Sequence, residues 1–61
     1  MNSSILTDFE ELRRREEDMH QMYCGLLKGL SNETLKAQIR SLRDQEALHI
    51  QMVEEVIAAL S

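Results

Sequence analysis

The chain has no proline, two glycines (Gly25 and Gly29), two aromatic residues (Phe9 and Tyr23) and one cysteine, Cys24. Each scarcity excludes something. With no proline and little glycine, almost nothing interrupts a helical run except the neighbourhood of Gly29. A single cysteine rules out a disulfide within the chain and fits a reducing compartment such as the cytoplasm. Basic residues are also short, seven against eleven acidic ones, for a net charge of −4. That balance speaks against a nucleic-acid partner, whose phosphates call for a basic surface. The one basic cluster, Arg13 to Arg15, runs straight into Glu16, Glu17 and Asp18 and reads as a solvated helix face. No apolar run reaches the length of a membrane span, and "MNSSILTDFEE" lacks the basic start and apolar stretch of a signal peptide. The 61 residues allow one small domain, residues 1–61, too short to enclose a core by itself. Its stability has to come from oligomerisation, a metal ion or both.

What the chain does have is a regular apolar rhythm. In the first half it reads Ile5, Phe9, Leu12, Glu16, Met19, Tyr23, Leu26, Leu30. In the second it reads Leu35, Ile39, Leu42, Glu46, His49, Val53, Val56, Leu60. Steps of three and four alternate in both, the heptad pattern of coiled coils and left-handed bundles. Leu6, Leu27, Ile50 and Ile57 widen this stripe, and Met22, Leu48 and Met52 lie further round. The pattern predicts two helices. The first begins near Ser4 to Thr7, where Thr7 and Glu10 have capping-box spacing and Ser3 or Ser4 offers an earlier cap, and it ends near Leu30. Asn32 is placed to cap the second, with Glu33 in its first turn. The connection is short enough to make the helices antiparallel neighbours. The expected fold is therefore all-α: an antiparallel two-helix hairpin that dimerises into a four-helix bundle.

The rhythm is broken at Glu16, Glu46 and His49, with Tyr23 amphipathic. Glu46 and His49, in "RDQEALHIQM", stand three residues apart on one helix face and can offer an oxygen and a nitrogen to one metal ion. Such a pair arises often by chance in charged helices. Its place on the apolar seam gives it weight, because a buried carboxylate is costly unless paired or metal-bound. Glu16 and Glu46 lie at similar distances from the turn and are expected in one layer. Two chains would then pool four carboxylates and two imidazoles, the ligand set of di-iron four-helix bundles, with −4 from the carboxylates matching two Fe(II) ions. Mixed oxygen and imidazole ligands suit iron or manganese, and zinc or copper can also enter.

"EEDMH" repeats the spacing with Glu17 and His20, which read as lying beside the seam: a solvated glutamate and a flanking histidine, with a secondary metal role for Asp18 and His20 as the rival reading. Tyr23 is either an ordinary core tyrosine or a hydrogen-bonding neighbour of the ligands. Cys24 reads as an inert thiol, and the methionines as apolar filler.

The string "RDQEALH", the tyrosine seven residues after Glu16 and the turn "NETLKA" resemble the encapsulated ferritins, short two-helix relatives of ferritin and rubrerythrin. The resemblance covers roughly Glu10 to Leu60. It implies a half-ferritin hairpin, a ferroxidase centre completed by two chains, Glu16, Glu46 and His49 as iron ligands, Tyr23 as a neighbour of the site, and a role in iron storage or detoxification. The sequence also departs from the family. Met22 stands where the family often has an aromatic, and Arg15 and Asp18 stand where it has an acidic metal-uptake site. Ser61 closes the sequence where the family carries an extension that directs it into an encapsulin shell, which leaves open whether such a shell is a partner. Two other readings compete with ferroxidase: a rubrerythrin-like peroxide reductase fed by an external electron donor, and a non-enzymatic dimeric helical adaptor whose polar layer fixes register.

Overall fold

The computed structural model describes residues 2–61, with side chains from residue 4 onward. Two 28-residue helices make up almost all of it, α1 (Asn2–Gly29) and α2 (Glu33–Leu60). A helix of that length rises about 42 Å. The molecule measures 48 × 14 × 10 Å, so the helices lie side by side along their whole length.

Helix α1 starts earlier than the capping-box pattern suggests. Thr7 lies well inside it rather than at its cap, and the alternative cap Ser3 lies outside the described side chains. The reason is apolar: continuing the helix upstream brings Leu6 into half-buried contact. The stop is made at the turn. No described residue, glycine included, has a positive φ, so Gly29 ends α1 without a left-handed cap. Leu30 still donates its N–H to the Leu26 carbonyl at 3.1 Å. Asn32 then leaves the helical region (φ −76°, ψ 116°) and its side-chain oxygen accepts from the Leu35 N–H at 3.0 Å. Glu33 follows in the first turn of α2, as the sequence predicts.

The expected seam splits into two edges. Phe9, Glu16, Tyr23 and Leu30 of α1, with Ile39, Glu46, Val53 and Leu60 of α2, are buried or half-buried between the helices. The other half of the expected seam, Ile5, Leu12, Met19, Leu26, Leu35, Leu42, His49 and Val56, is exposed. The positions one residue further on replace it: Leu6, Arg13, His20 and Leu27 against Lys36, Arg43, Ile50 and Ile57, all half-buried. Two partners are enough to cover only one side of a wide apolar stripe. The helices rotate so that the long stems of Arg13, Lys36 and Arg43 pack while their charged ends reach water. Arg13 is thus not on a solvated face with Arg14 and Arg15, and His20 is on the packed seam rather than beside it.

The exposed set repeats every seven residues on each helix. Because the helices are antiparallel, both sets turn to the same side, and the hairpin carries one long apolar face. Beyond its edge, Met22, Leu48 and Met52 are each about 60% exposed. Among the described residues, Val53 is the only buried apolar residue, still 8% exposed, and no side chain is fully buried. No helix is long and apolar enough to cross a membrane.

Candidate metal centre

Glu16 and Glu46 each fall within a residue of the midpoint of their helix. The short turn holds those midpoints level, so the two carboxylates meet across the hairpin. His49 follows Glu46 by one turn and lies on the exposed edge. One oxygen of Glu16, one of Glu46 and one ring nitrogen of His49 lie within 4.8 Å of one another. This is the one group of three such ligands among the described residues, and it is the trio that the sequence pattern selects.

Burial is graded across the group. Glu46 is 8% exposed, Glu16 is half-buried, and the His49 side chain is 58% exposed. The His49 Nδ1 lies 3.7 Å from the Glu46 Oε2, close enough for attraction but too far for a good hydrogen bond. The other Glu46 oxygen, Oε1, is buried and has no hydrogen-bond partner. Among the described residues it is the one buried side-chain polar atom left without a partner. An ionised oxygen held this way costs free energy unless a proton or a cation meets it.

The group could hold a divalent cation. In an octahedron with bonds of about 2.1 Å, adjacent ligands stand about 3.0 Å apart and opposite ones about 4.2 Å. The present separations, up to 4.8 Å, are wider than the adjacent-ligand distance, so binding would need the side chains to draw together. Glu16, Glu46 and His49 would hold such an ion, and further donors or solvent would have to complete its coordination.

Neither the family models, nor the curated proteins, nor the solved structures compared with this chain include a match. The chemistry of the site therefore rests on the residues themselves.

Other residues singled out in the sequence fall elsewhere. Tyr23 is half-buried between the helices and makes no hydrogen bond within the described chain, to Glu16 or to any other group. Asp18 is exposed and lines an open groove with Glu17, His20, Gln21 and Ile50, on residues separate from the Glu16–Glu46–His49 trio. Cys24 has a neighbour that the sequence reading overlooked: its Sγ lies 3.8 Å from the His20 Nδ1, one helical turn away. The i, i+4 spacing of the two residues was the available signal.

Proposed function

We propose that this chain is half of a ferritin-like four-helix bundle, and that two copies closed face to face oxidise Fe(II) to Fe(III) at a centre built from Glu16, Glu46 and His49 of each. The observation that carries this reading is the buried, partnerless Glu46 Oε1 on the packed seam at mid-helix, one turn from His49 on the exposed apolar edge. An apolar face of this length favours association. Two carboxylates held side by side beneath it, with His49 at its edge, make little sense for association alone, because closing the face would desolvate them further without a partner.

Two copies supply four carboxylates and two imidazoles. Because Glu16 and Glu46 stand at the helix midpoints, a two-fold axis through them overlaps the hairpins over their full length. Iron is the substrate. Each of two Fe(II) ions gives up one electron, and dioxygen takes both electrons with two protons and leaves as hydrogen peroxide. The anionic oxygens of Glu16 and Glu46 favour the more highly charged Fe(III), which eases the loss of the electron. The His49 nitrogen completes each half-set. Leu12, Met19 and Leu42 on the same face would exclude bulk water once it closes. Manganese or zinc can take the place of iron in such a donor set. Iron stored after oxidation would need a compartment to hold it. An encapsulin shell is the partner that the family resemblance suggests.

The test is Fe(II) oxidation in air, followed by the absorbance of Fe(III). Parent protein is expected to oxidise Fe(II) well above the buffer rate, while Glu46→Ala and His49→Ala fall back at least tenfold, a difference worth about 1.4 kcal/mol in the barrier. Equal rates in all three sink the proposal. Turnover driven by peroxide and an added electron donor, but not by dioxygen, would point to a rubrerythrin-like reductase. A dimer whose melting is indifferent to Fe(II) and Mn(II) would point to an adaptor.

A further inference from the structure

The hairpin carries its charge unevenly along its length. The third furthest from the turn (residues 4–11 and 51–61) holds Asp8, Glu10, Glu11, Glu54 and Glu55 and no lysine or arginine, a net −5. The third at the turn (residues 21–41) holds Lys28, Lys36 and Arg40 against Glu33, a net +2. The third between them holds four arginines and five acids, a net −1. The pattern also runs against the dipole of α2. Glu33 aside, the bases Lys36 and Arg40 stand in its first half, Glu54 and Glu55 stand near its C-terminal end, and its last turn has no basic residue. A helix favours the reverse, with acids at its start and bases at its end. Among the described residues, Arg40, Glu54 and Glu55 enter no ion pair. These charges gain little within the hairpin.

Two identical hairpins can close their apolar faces over one ligand layer in two ways. A two-fold axis running lengthwise puts both turns at one end. An axis running crosswise lays the turn of one copy over the open end of the other. Apolar contact does not choose between them. From the layer of Glu16 and Glu46, the face runs through Leu12 and then Ile5 and Val56 toward the open end. Toward the turn it runs through Met19 and Leu42 and then Leu26 and Leu35, and all seven are exposed. Charge does choose. Lengthwise closure sets −5 beside −5 and +2 beside +2, whereas crosswise closure sets −5 beside +2 at each end. Neighbouring helices stand about 10 Å apart, comparable with the screening length of about 8 Å in physiological salt and well inside the roughly 30 Å at low salt. The charges flank the apolar face rather than line it, so they select an orientation while burial of the face supplies most of the affinity.

Given the face-to-face closure proposed above, we propose that the two copies close crosswise, turn over open end, and that the charge asymmetry selects this orientation against its alternative. The crosswise axis lays α2 antiparallel on the α2 of the other copy and brings residues equally far before and after Glu46 level with each other. Lys36 and Arg40 of one copy come level with residues 56 and 52 of the other, within two residues of Glu55 and Glu54. The closure also decides how the shared centre is divided. His49 lies one turn from Glu46 toward the open end, and the two open ends point opposite ways. The two imidazoles therefore stand on opposite sides of the four-carboxylate layer, one for each ion. Lengthwise closure would put both on the same side.

The turn reports the orientation. A nitroxide attached at Ser31→Cys, in a Cys24→Ser background, is expected about 45 Å from its counterpart in a crosswise dimer, by the rise of the helix on each side of Glu16. That is close to the 48 Å length of the hairpin. Lengthwise closure places the two labels about 20 Å apart or less, across the width of the bundle. A short distance overturns the orientation and leaves the shared centre standing. Sedimentation as a monomer, with no interspin distance, overturns both. The second measurement is the dimer dissociation constant of the double variant Glu54→Lys with Glu55→Lys, which takes the open third from −5 to −1. The two closures predict opposite signs. Crosswise closure loses attraction, so the constant is expected to rise about threefold or more at low salt and to match the parent at about 1 M, where screening is complete within a few ångströms. Lengthwise closure loses repulsion and would tighten. The new lysines stand near the C-terminal end of α2, where they favour the helix, so a weaker dimer does not reflect lost folding. An unchanged or tighter dimer overturns the proposal.

Discussion

At the scale of the residue, Glu46 carries opposing demands. Its Oε1 is buried without a donor, which weakens the metal-free fold, and its convergence with Glu16 and His49 is what would make it a ligand. Glu46→Leu should therefore raise the metal-free stability by about 1 kcal/mol or more, read from urea unfolding. The same variant should lose the upward melting shift that Fe(II) or Mn(II) gives the parent. Glu16, Glu46 and His49 were legible in the sequence because each interrupts a regular apolar rhythm. His20 was not. Its heptad partners on α1 are Leu6, Arg13 and Leu27, so half of that edge is polar and the packed position does not stand out. The approach of Cys24 to His20 was hidden with it.

At the scale of the element, the helices are set by their ends and by what they lack. The turn depends on Asn32, whose side chain meets the Leu35 N–H. Asn32→Ala should cost about 1 kcal/mol and lower the melting temperature, with helical circular dichroism retained below the transition. Gly25 works in the other direction. It lies in the interior of α1, without a positive φ, and a methyl group there would meet nothing within 4 Å. Gly25→Ala should stabilise the chain by about 0.5–1 kcal/mol in the same unfolding assay. The start of α2 was legible because a cap is a local signal. The start of α1 was misplaced because the gain from packing Leu6 outweighs the local capping pattern at Thr7. Which edge of the stripe faces the other helix was also out of reach. The stripe is wider than one partner helix can cover, and its rhythm fits either rotation.

At the scale of the whole molecule, the single hairpin exposes 4636 Å². A compact protein of 7.1 kDa would expose about 4,100 Å² by the usual size scaling. The excess follows from the elongated shape of the hairpin and its uncovered apolar face. Leu12 and Leu42 lie on that face, 39% and 42% exposed in the hairpin. Leu12→Glu should change the isolated hairpin little, yet shift sedimentation toward the monomer and lower the melting temperature at high protein concentration. An unchanged sedimentation profile would remove the second copy as the occupant of this face. If the second copy does close it, the division of the metal centre between two chains has a genetic consequence. A single altered codon changes both halves of every centre at once. In a cell carrying one normal and one Glu46-deficient allele, random pairing would leave roughly a quarter of the centres intact. The deficient allele would then act as a partial dominant, a burden that a centre contained in one chain would not carry.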